Sequence, residues 1–377
     1  MAGSGVGFGV LGPLQMSIDG IDVSAGTPKQ RAVLAMLVIN RNRAVGVDTL
    51  IGAVWGESAP AAARASLYSY VSNLRKTIGG AGVEPQAMLA SAPPGYRLAV
   101  AEQDCDIGRF GAQKAAGVHA AATGDFERAA GLLSAALGQW RGPVLDDLRD
   151  FAFVDPFATA LEEERLAVVT ALAEAELACG RAADVIGDLE KLTTEHPYRE
   201  PLWAQLITAY YLAERQSDAL EAYRRLKVAL ADDLGIDPGP TVQGLYERVL
   251  RQQPLDAQRS AQSAAVAAET VLDQRTKVDG ATTSAWLVDA SGQRHPLQEV
   301  ATRIGRLPDN DIVIDDARVS RHHAAIIDTG SGWVLSDLRS ANGVWLRHSR
   351  IRGSAPLTPG DPIGICGHTF TFELATG

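Results

Sequence analysis

Three short segments in the last quarter of this 377-residue chain carry the residue types that hold a phosphate. Gly305-Arg306 comes first, then Ser320-Arg321-His322-His323, then Ser340-Ala341-Asn342-Gly343. A phosphate dianion needs fixed positive charge with hydroxyl or amide donors around it. Arg306 and Arg321 supply the charge; Ser320 and Ser340 supply the hydroxyls. Asn342 has both a donor and an acceptor, which suits the backbone of a peptide beside the phosphate. Ser, Asn and Gly are also common turn formers, so one such segment alone would read as a loop. Three in order, each after an extended run, favour a binding surface.

A second constellation lies near the N-terminus. The spacing predicts a helix over 61–78 with Leu67, Val71, Leu74 and Ile78 on one face. The opposite face carries Arg64, Ser69, Ser72, Asn73 and Lys76, with Tyr68 and Arg75 on the flanks. These side chains hydrogen-bond DNA phosphates and base edges. The net charge of −10 argues against nucleic acid, but its distribution does not. Residues 26–97 hold eight Lys/Arg against three Asp/Glu, whereas residues 105–252 hold 15 against 24. A basic head precedes an acidic body.

Enzyme chemistry has no foothold here. No GxxxxGK[ST], HExxH or GxSxG occurs. The three cysteines, Cys105, Cys179 and Cys366, are far apart and form no paired site, so no metal or other cofactor is expected. Their scarcity fits a reducing, cytoplasmic setting. No secretory leader and no apolar run of about 18 residues is visible, so no membrane insertion is expected.

The elements that must position these groups fall into three textures and a linker. Residues 1–104 mix short strands and helices. Alternation over 8–18 meets Asp19-Gly20, a hairpin signal. Thr27-Pro28-Lys29-Gln30 reads as a capping box before a helix, and Asp48 reads as the cap of a second. After the third helix, Pro93-Pro94-Gly95 joins two strands, with Arg97 as a basic tip. Residues 105–252 are helical. Trp203, Leu206, Tyr210, Ala219 and Tyr223 fit the tetratricopeptide pattern, and 34 residues earlier stand Val169, Leu172, Glu176, Val185 and Leu189. A looser copy spans 115–140, turning at Gly124-Asp125-Phe126. Residues 253–283 read as a linker with a helical stretch at 264–272. Residues 284–377 carry short β-like runs. The expected fold class is multidomain: an α+β winged helix, all-α tetratricopeptide-like repeats and an all-β sandwich.

Known families match these pieces. LYSYVSNLRKTIG and APPGYRL resemble the recognition helix and wing of OmpR-type response regulators. No receiver domain with a phosphoacceptor aspartate precedes them in this sequence, so aspartyl phosphorelay control is not expected. The helical region, with ADDLGIDPGPTVQGLYERVLRQ, resembles the bacterial transcriptional activation domain. Together, residues 8–252 are similar to the Streptomyces antibiotic regulatory protein (SARP) family. That resemblance implies promoter DNA as ligand, with RNA polymerase contact or homodimerisation through the helices. The pattern GR…SRxH…SxNG resembles the forkhead-associated (FHA) domain, which reads phosphothreonine. It implies Gly305, His323 and Gly343 as structural residues, Asn342 as the peptide clamp and an exposed His322. The whole order, with GTPKQRAVLAMLVINRNR and DNDIV, resembles an actinobacterial group of these regulators. This implies a threonine-phosphorylated membrane Ser/Thr protein kinase as partner and cell-wall arabinosyltransferase genes as targets. A phosphothreonine-dependent adaptor without promoter binding is the competing function.

Overall fold

A computed structural model of the chain describes residues 5–56, 59–276, 284–297, 301–307, 310–328, 333–338, 340–347, 349–351 and 353–375. Val6–Gly9 (β1), Gln15–Ile18 (β2) and Ile21–Asp22 (β3) form an antiparallel sheet in that order. Asp19 and Gly20 adopt φ of 50° and 78°, as a two-residue hairpin turn with both central residues left-handed requires.

Helix α1 (Pro28–Ile39) starts where Thr27 Oγ1 accepts the Gln30 amide at 3.4 Å. Only this half of the expected capping box forms. The Gln30 side chain donates to the Ala25 carbonyl instead. After β4 (Ala44–Gly46), helix α2 (Val47–Trp55) begins at Gly46 without a side-chain cap. Asp48 sits in its first turn, where it complements the helix dipole but does not cap. Helix α3 (Ala63–Gly79) buries Leu67, Val71, Leu74 and Ile78 at 1% exposure or less. A single turn, α4 (Pro85–Met88), leads into β5 (Leu89–Ala92) and β6 (Gly95–Leu98). The sheet order is β4-β6-β5, so β6 is central. A Cβ on Gly95 would stand 1.8 Å from the Val45 carbonyl oxygen, so this position requires glycine. Arg97 is not at the wing tip. It lies along β6, opposite Ala90 and Ala44, while Pro93-Pro94 makes the turn.

The helical region contains α5 (Asp106–Ala122), α6 (Phe126–Leu137), α7 (Val154–Ala178), α8 (Ala182–Glu195), α9 (Glu200–Leu212), α10 (Gln216–Leu234), α11 (Pro240–Leu250) and α12 (Ala257–Thr276). Four helix pairs share one turn geometry, the last at Gln253, whose amide donates to the Arg248 carbonyl after left-handed Gln252; the other three set the repeat. The amides of Asp125, Arg181 and Arg215 donate to carbonyls five residues back, at Ala120, Glu176 and Tyr210. A left-handed residue precedes each: Gly124, Gly180 and Glu214. Gly180 and Glu214 share one phase of the roughly 34-residue tetratricopeptide period. Leu189, Trp203, Leu206, Tyr210, Ala219 and Tyr223 belong to one core. The aromatic residues of the repeat are therefore packing groups.

The C-terminal sandwich has eleven strands among the described residues: Ser284–Asp289 (β7), Arg294–Pro296 (β8), Ala301–Gly305 (β9), Ile312–Val313 (β10), Ala324–Asp328 (β11), Trp333–Asp337 (β12), Val344–Leu346 (β13), Ser349–Arg350 (β14), Ser354–Leu357 (β15), Pro362–Ile365 (β16) and His368–Ala375 (β17). One sheet runs β10-β9-β11-β12-β15, the other β14-β13-β16-β17-β7-β8. Leu287, Ile304, Ile326, Leu335, Val344, Ile363 and Phe372 fill the space between them.

The compact units differ from the expected boundaries. One unit comprises the described parts of 1–112, 138–165 and 273–377; the other comprises 113–137 and 166–272. The expected break at 104/105 falls inside the first. Buried Asp106 accepts the amides of Val10 and Leu11, both at 2.9 Å, and pairs with Arg141 at 3.2 Å. The Arg141 amide in turn donates to the Leu11 carbonyl. Helical periodicity does not report such long-range partners. The expected linker is also largely a packed helix. Within the second unit Ala265 joins Ala121, Ala129 and Ala175 in one core, and Gln258 and Gln262 donate to the carbonyls of Ala178 and Ala122. The remainder of that linker, 277–283, lies outside the described residues.

This packing makes a prediction. A chain cut after Gln253 loses α12 and should melt roughly 5–10 °C below one cut after residue 283, as loss of a few kcal/mol does in a unit of this size. Scanning calorimetry on both fragments measures the difference. Equal midpoints would mean that α12 adds nothing to the fold.

Candidate functional site

The three expected phosphate segments form the loops after β9, between β10 and β11, and between β12 and β13. Gly305 permits a close approach between the first loop and the second. A Cβ there would lie 2.3 Å from the Arg321 carbonyl oxygen. The Arg306 amide donates to the Ser320 carbonyl at 3.0 Å, and Arg306 Nε donates to the Val319 carbonyl at 3.3 Å. His323 is fully buried and ties the loops together. Its Nδ1 accepts the Ser320 amide at 3.0 Å, so its Nε2 carries the proton and donates to the Gly343 carbonyl at 3.2 Å. Ser320 Oγ accepts the Ala341 amide at 3.1 Å, and Asn342 Nδ2 donates to the Arg318 carbonyl at 2.7 Å.

These contacts shape an open hollow of about 550 Å³ lined by Arg306, Arg318, Ser320, Arg321, His322 and Asn342. The Arg321 guanidinium has no partner among the described residues. Ser340 is placed otherwise than expected. It is buried, its hydroxyl oxygen accepts the Gly343 amide at 2.9 Å, and it does not line the hollow. It shapes the loop that presents Asn342.

Sequence reasoning missed the roles of Asn310 and Arg318 and one contact of His322. Asn310 is buried and donates to the carbonyls of Leu307 and Arg321, both at 2.8 Å, pinning the first loop to the second. His322, expected simply to be exposed, is exposed but also meets Asn310 Oδ1 at 3.2 Å. Arg318 points its guanidinium at Asp316 and brings a third positive charge to the rim. That contact holds the Asp316 carboxyl far below the usual carboxylate range. The DNDIV signature contains Asn310, but only the folded loops reveal its partner.

On the winged helix, Tyr68, Ser69, Ser72, Asn73 and Lys76 are exposed along α3. Arg64 is exposed too, paired with Asp48 at 2.6 Å. Arg97 is exposed on β6. Arg75 departs from this set. It is half-buried, donating to the Leu89 carbonyl at 2.9 Å and to Ser91 Oγ at 3.0 Å, with its guanidinium over the Tyr96 ring. It fastens α3 to the wing.

Comparison with known proteins decides the family. Three domain families match: transcriptional regulatory protein C-terminal domain over 23–98, bacterial transcriptional activator domain over 105–250, and FHA domain over 302–366. The transcriptional regulatory protein EmbR of Mycobacterium tuberculosis is 66% identical over 371 residues, covering 98% of this chain and 96% of that protein. The chain belongs to the EmbR family. It is thus a transcriptional regulator with a DNA-binding winged helix, of SARP type. The EmbR likeness extends to structure: M. tuberculosis EmbR, solved in complex with a low-affinity phosphopeptide, aligns at a TM-score of 0.95 and 65% identity, covering 99% of each chain. AfsR of Streptomyces coelicolor is 36% identical over 70% of this chain but only 26% of its own length. No described helix is long and apolar enough to cross a membrane.

Proposed function

We propose that this chain binds promoter DNA through α3 and the wing, and binds a threonine-phosphorylated Ser/Thr protein kinase through the hollow of the sandwich. The convergence of Arg306, Ser320, Arg321 and Asn342 on one hollow carries the second half of this reading. Arg306 and Arg321 neutralise the phosphate, and the Ser320 hydroxyl donates to it while its oxygen holds the Ala341 amide. Asn342 keeps its Nδ2 on the Arg318 carbonyl, which leaves Oδ1 to accept a peptide amide. Gly305, His323, Ser340 and Gly343 hold the loops in place. The match to the FHA domain favours phosphothreonine over phosphoserine. The phosphopeptide bound to the EmbR relative supports this reading.

The chain acts by binding and performs no catalysis. It works in the cytoplasm, where promoter DNA lies. The helical repeats, read with the activator-domain match, serve contact with RNA polymerase or with a second copy. Cell-wall arabinosyltransferase promoters are the targets that the EmbR relationship favours.

The DNA half is tested on two neighbours in α3. Lys76→Ala should lower the slope of log affinity against log salt by about 0.9, one phosphate contact, with an unchanged melting temperature. Arg75→Ala should lower the melting temperature, because it unties the wing, and leave the slope nearly unchanged. A salt series of mobility-shift titrations with promoter fragments separates them. Equal slopes for Lys76→Ala and the unaltered chain would remove α3 from the DNA contact. No retardation of any promoter fragment would favour the adaptor.

A further inference from the structure

The turn between α1 and β4 is unusually well secured. The Asn42 amide donates to the Leu98 carbonyl, and its side chain both donates to and accepts from the backbone of Val100, at 2.8 and 3.0 Å. Next to it, buried Arg41 grips Glu102 with Nε and Nη2. This turn is the base of the wing: β4 follows it directly, and Ala44 pairs with Arg97 on β6. The residue it presents outward is Arg43. The Arg43 guanidinium forms an ion pair with Asp328, which is only 6% exposed and ends β11 in the sandwich.

β11 has a second end. It begins at Ala324, immediately after His323, the residue that ties the phosphate loops together. All five residues of β11 are buried, and it is hydrogen-bonded on both sides, to β9 and β12. A strand held in this way transmits displacement along its length and does not absorb it. The phosphate loops and the Arg43 contact therefore stand at opposite ends of one rigid strand.

We propose that the Arg43–Asp328 pair is the joint that couples occupancy of the phosphopeptide hollow to the base of the DNA-binding wing. This rests on the phosphopeptide reading above. Peptide engagement draws in the loop that carries Ser320 and His323, and β11 carries the shift to Asp328. Asp328 holds Arg43, and Arg43 precedes β4. The two sites need no shared ligand, only a joint whose arrangement each of them biases.

Hydrogen exchange on the full chain tests this, with and without a saturating pool of degenerate phosphothreonine peptides. In the unaltered chain, peptide should change exchange in the phosphate loops and also, by about fivefold or more, in residues 42–46 and 95–98. Asp328→Asn should bind the peptide pool with unchanged affinity but confine the change to the sandwich. The swapped pair Arg43→Glu with Asp328→Lys should restore it, and Arg43→Gln should repeat the loss by a milder change if either swap fails to fold. A response that stops at the sandwich in the unaltered chain, or reaches the wing base in Asp328→Asn, overturns the joint while leaving the phosphopeptide reading intact. Failure of the unaltered chain to bind the pool overturns both.

Discussion

Arg306→Ala, Ser320→Ala and Asn342→Ala should each weaken binding of a threonine-phosphorylated peptide about tenfold or more. The phosphate carries about −1.5 to −2 charges at neutral pH, and hydrogen bonds to charged groups are worth roughly 1.5–3 kcal/mol each. Arg306 loses its charge contact, and its anchor on Val319 with it. Ser320 loses a donor to phosphate and also the acceptor that holds the Ala341 amide. Asn342 should matter as much as Arg306 although it faces the peptide chain, because its removal also releases the Arg318 carbonyl. Ser340→Ala makes the informative contrast. Its hydroxyl caps the Gly343 amide, so the loss should appear first as lower stability of the sandwich. DNA affinity of the full chain without peptide should be unaffected throughout. Calorimetric titration of each variant, paired with its thermal melt, distinguishes lost contact from lost fold.

The largest expected stability effect lies at a residue that belongs to neither site. Asp106→Ala should destabilise the unit containing the winged helix by about 3–5 kcal/mol, because it leaves three backbone donors without an acceptor, at about 1–3 kcal/mol each where they are buried. The carboxylate accepts the amides of Val10, Leu11 and Ile107 and pairs with Arg141. Removing it strands three backbone donors, while the Arg141 guanidinium keeps the Pro13 carbonyl. Asp106→Asn should cost less, since one acceptor oxygen remains. Urea unfolding of the full chain, followed by circular dichroism, reports the change. A loss below about 1 kcal/mol would mean that water satisfies these donors without the carboxylate.

Asp106 also marks where the sequence stopped being legible. The buried stripe of α3 could be read because its residues are close in sequence and their period is fixed by helix geometry. The three phosphate loops could be read because phosphate recognition demands a few residue types in a fixed order. Partners distant in sequence leave no such trace. Nothing near Asp106 announces Val10, Leu11 or Arg141, so the ties that cross the expected 104/105 boundary leave no mark in the sequence. The alanines of α12 look like a linker because small residues carry little hydrophobic signal until they meet a matching surface. Ser320 and Ser340 are chemically the same residue in similar surroundings. Only the direction of each hydroxyl separates the one that lines the hollow from the one that caps a turn. Arg75 and Lys76 are adjacent cations, and burial against Tyr96 alone assigns the first to structure.

The central claim is that one chain both contacts DNA and reads a phosphorylated threonine, and the reading of phosphate is its most exposed part. Calorimetry on the full chain with one kinase-derived sequence in three forms tests it directly: phosphothreonine, phosphoserine and unmodified threonine. The account predicts binding of the phosphothreonine form, weaker binding of the phosphoserine form and none of the unmodified one. Affinity should also fall as pH drops through about 6, where the phosphate gains a proton and the dianion is lost. Equal affinity for the phosphorylated and unmodified threonine peptides would contradict it.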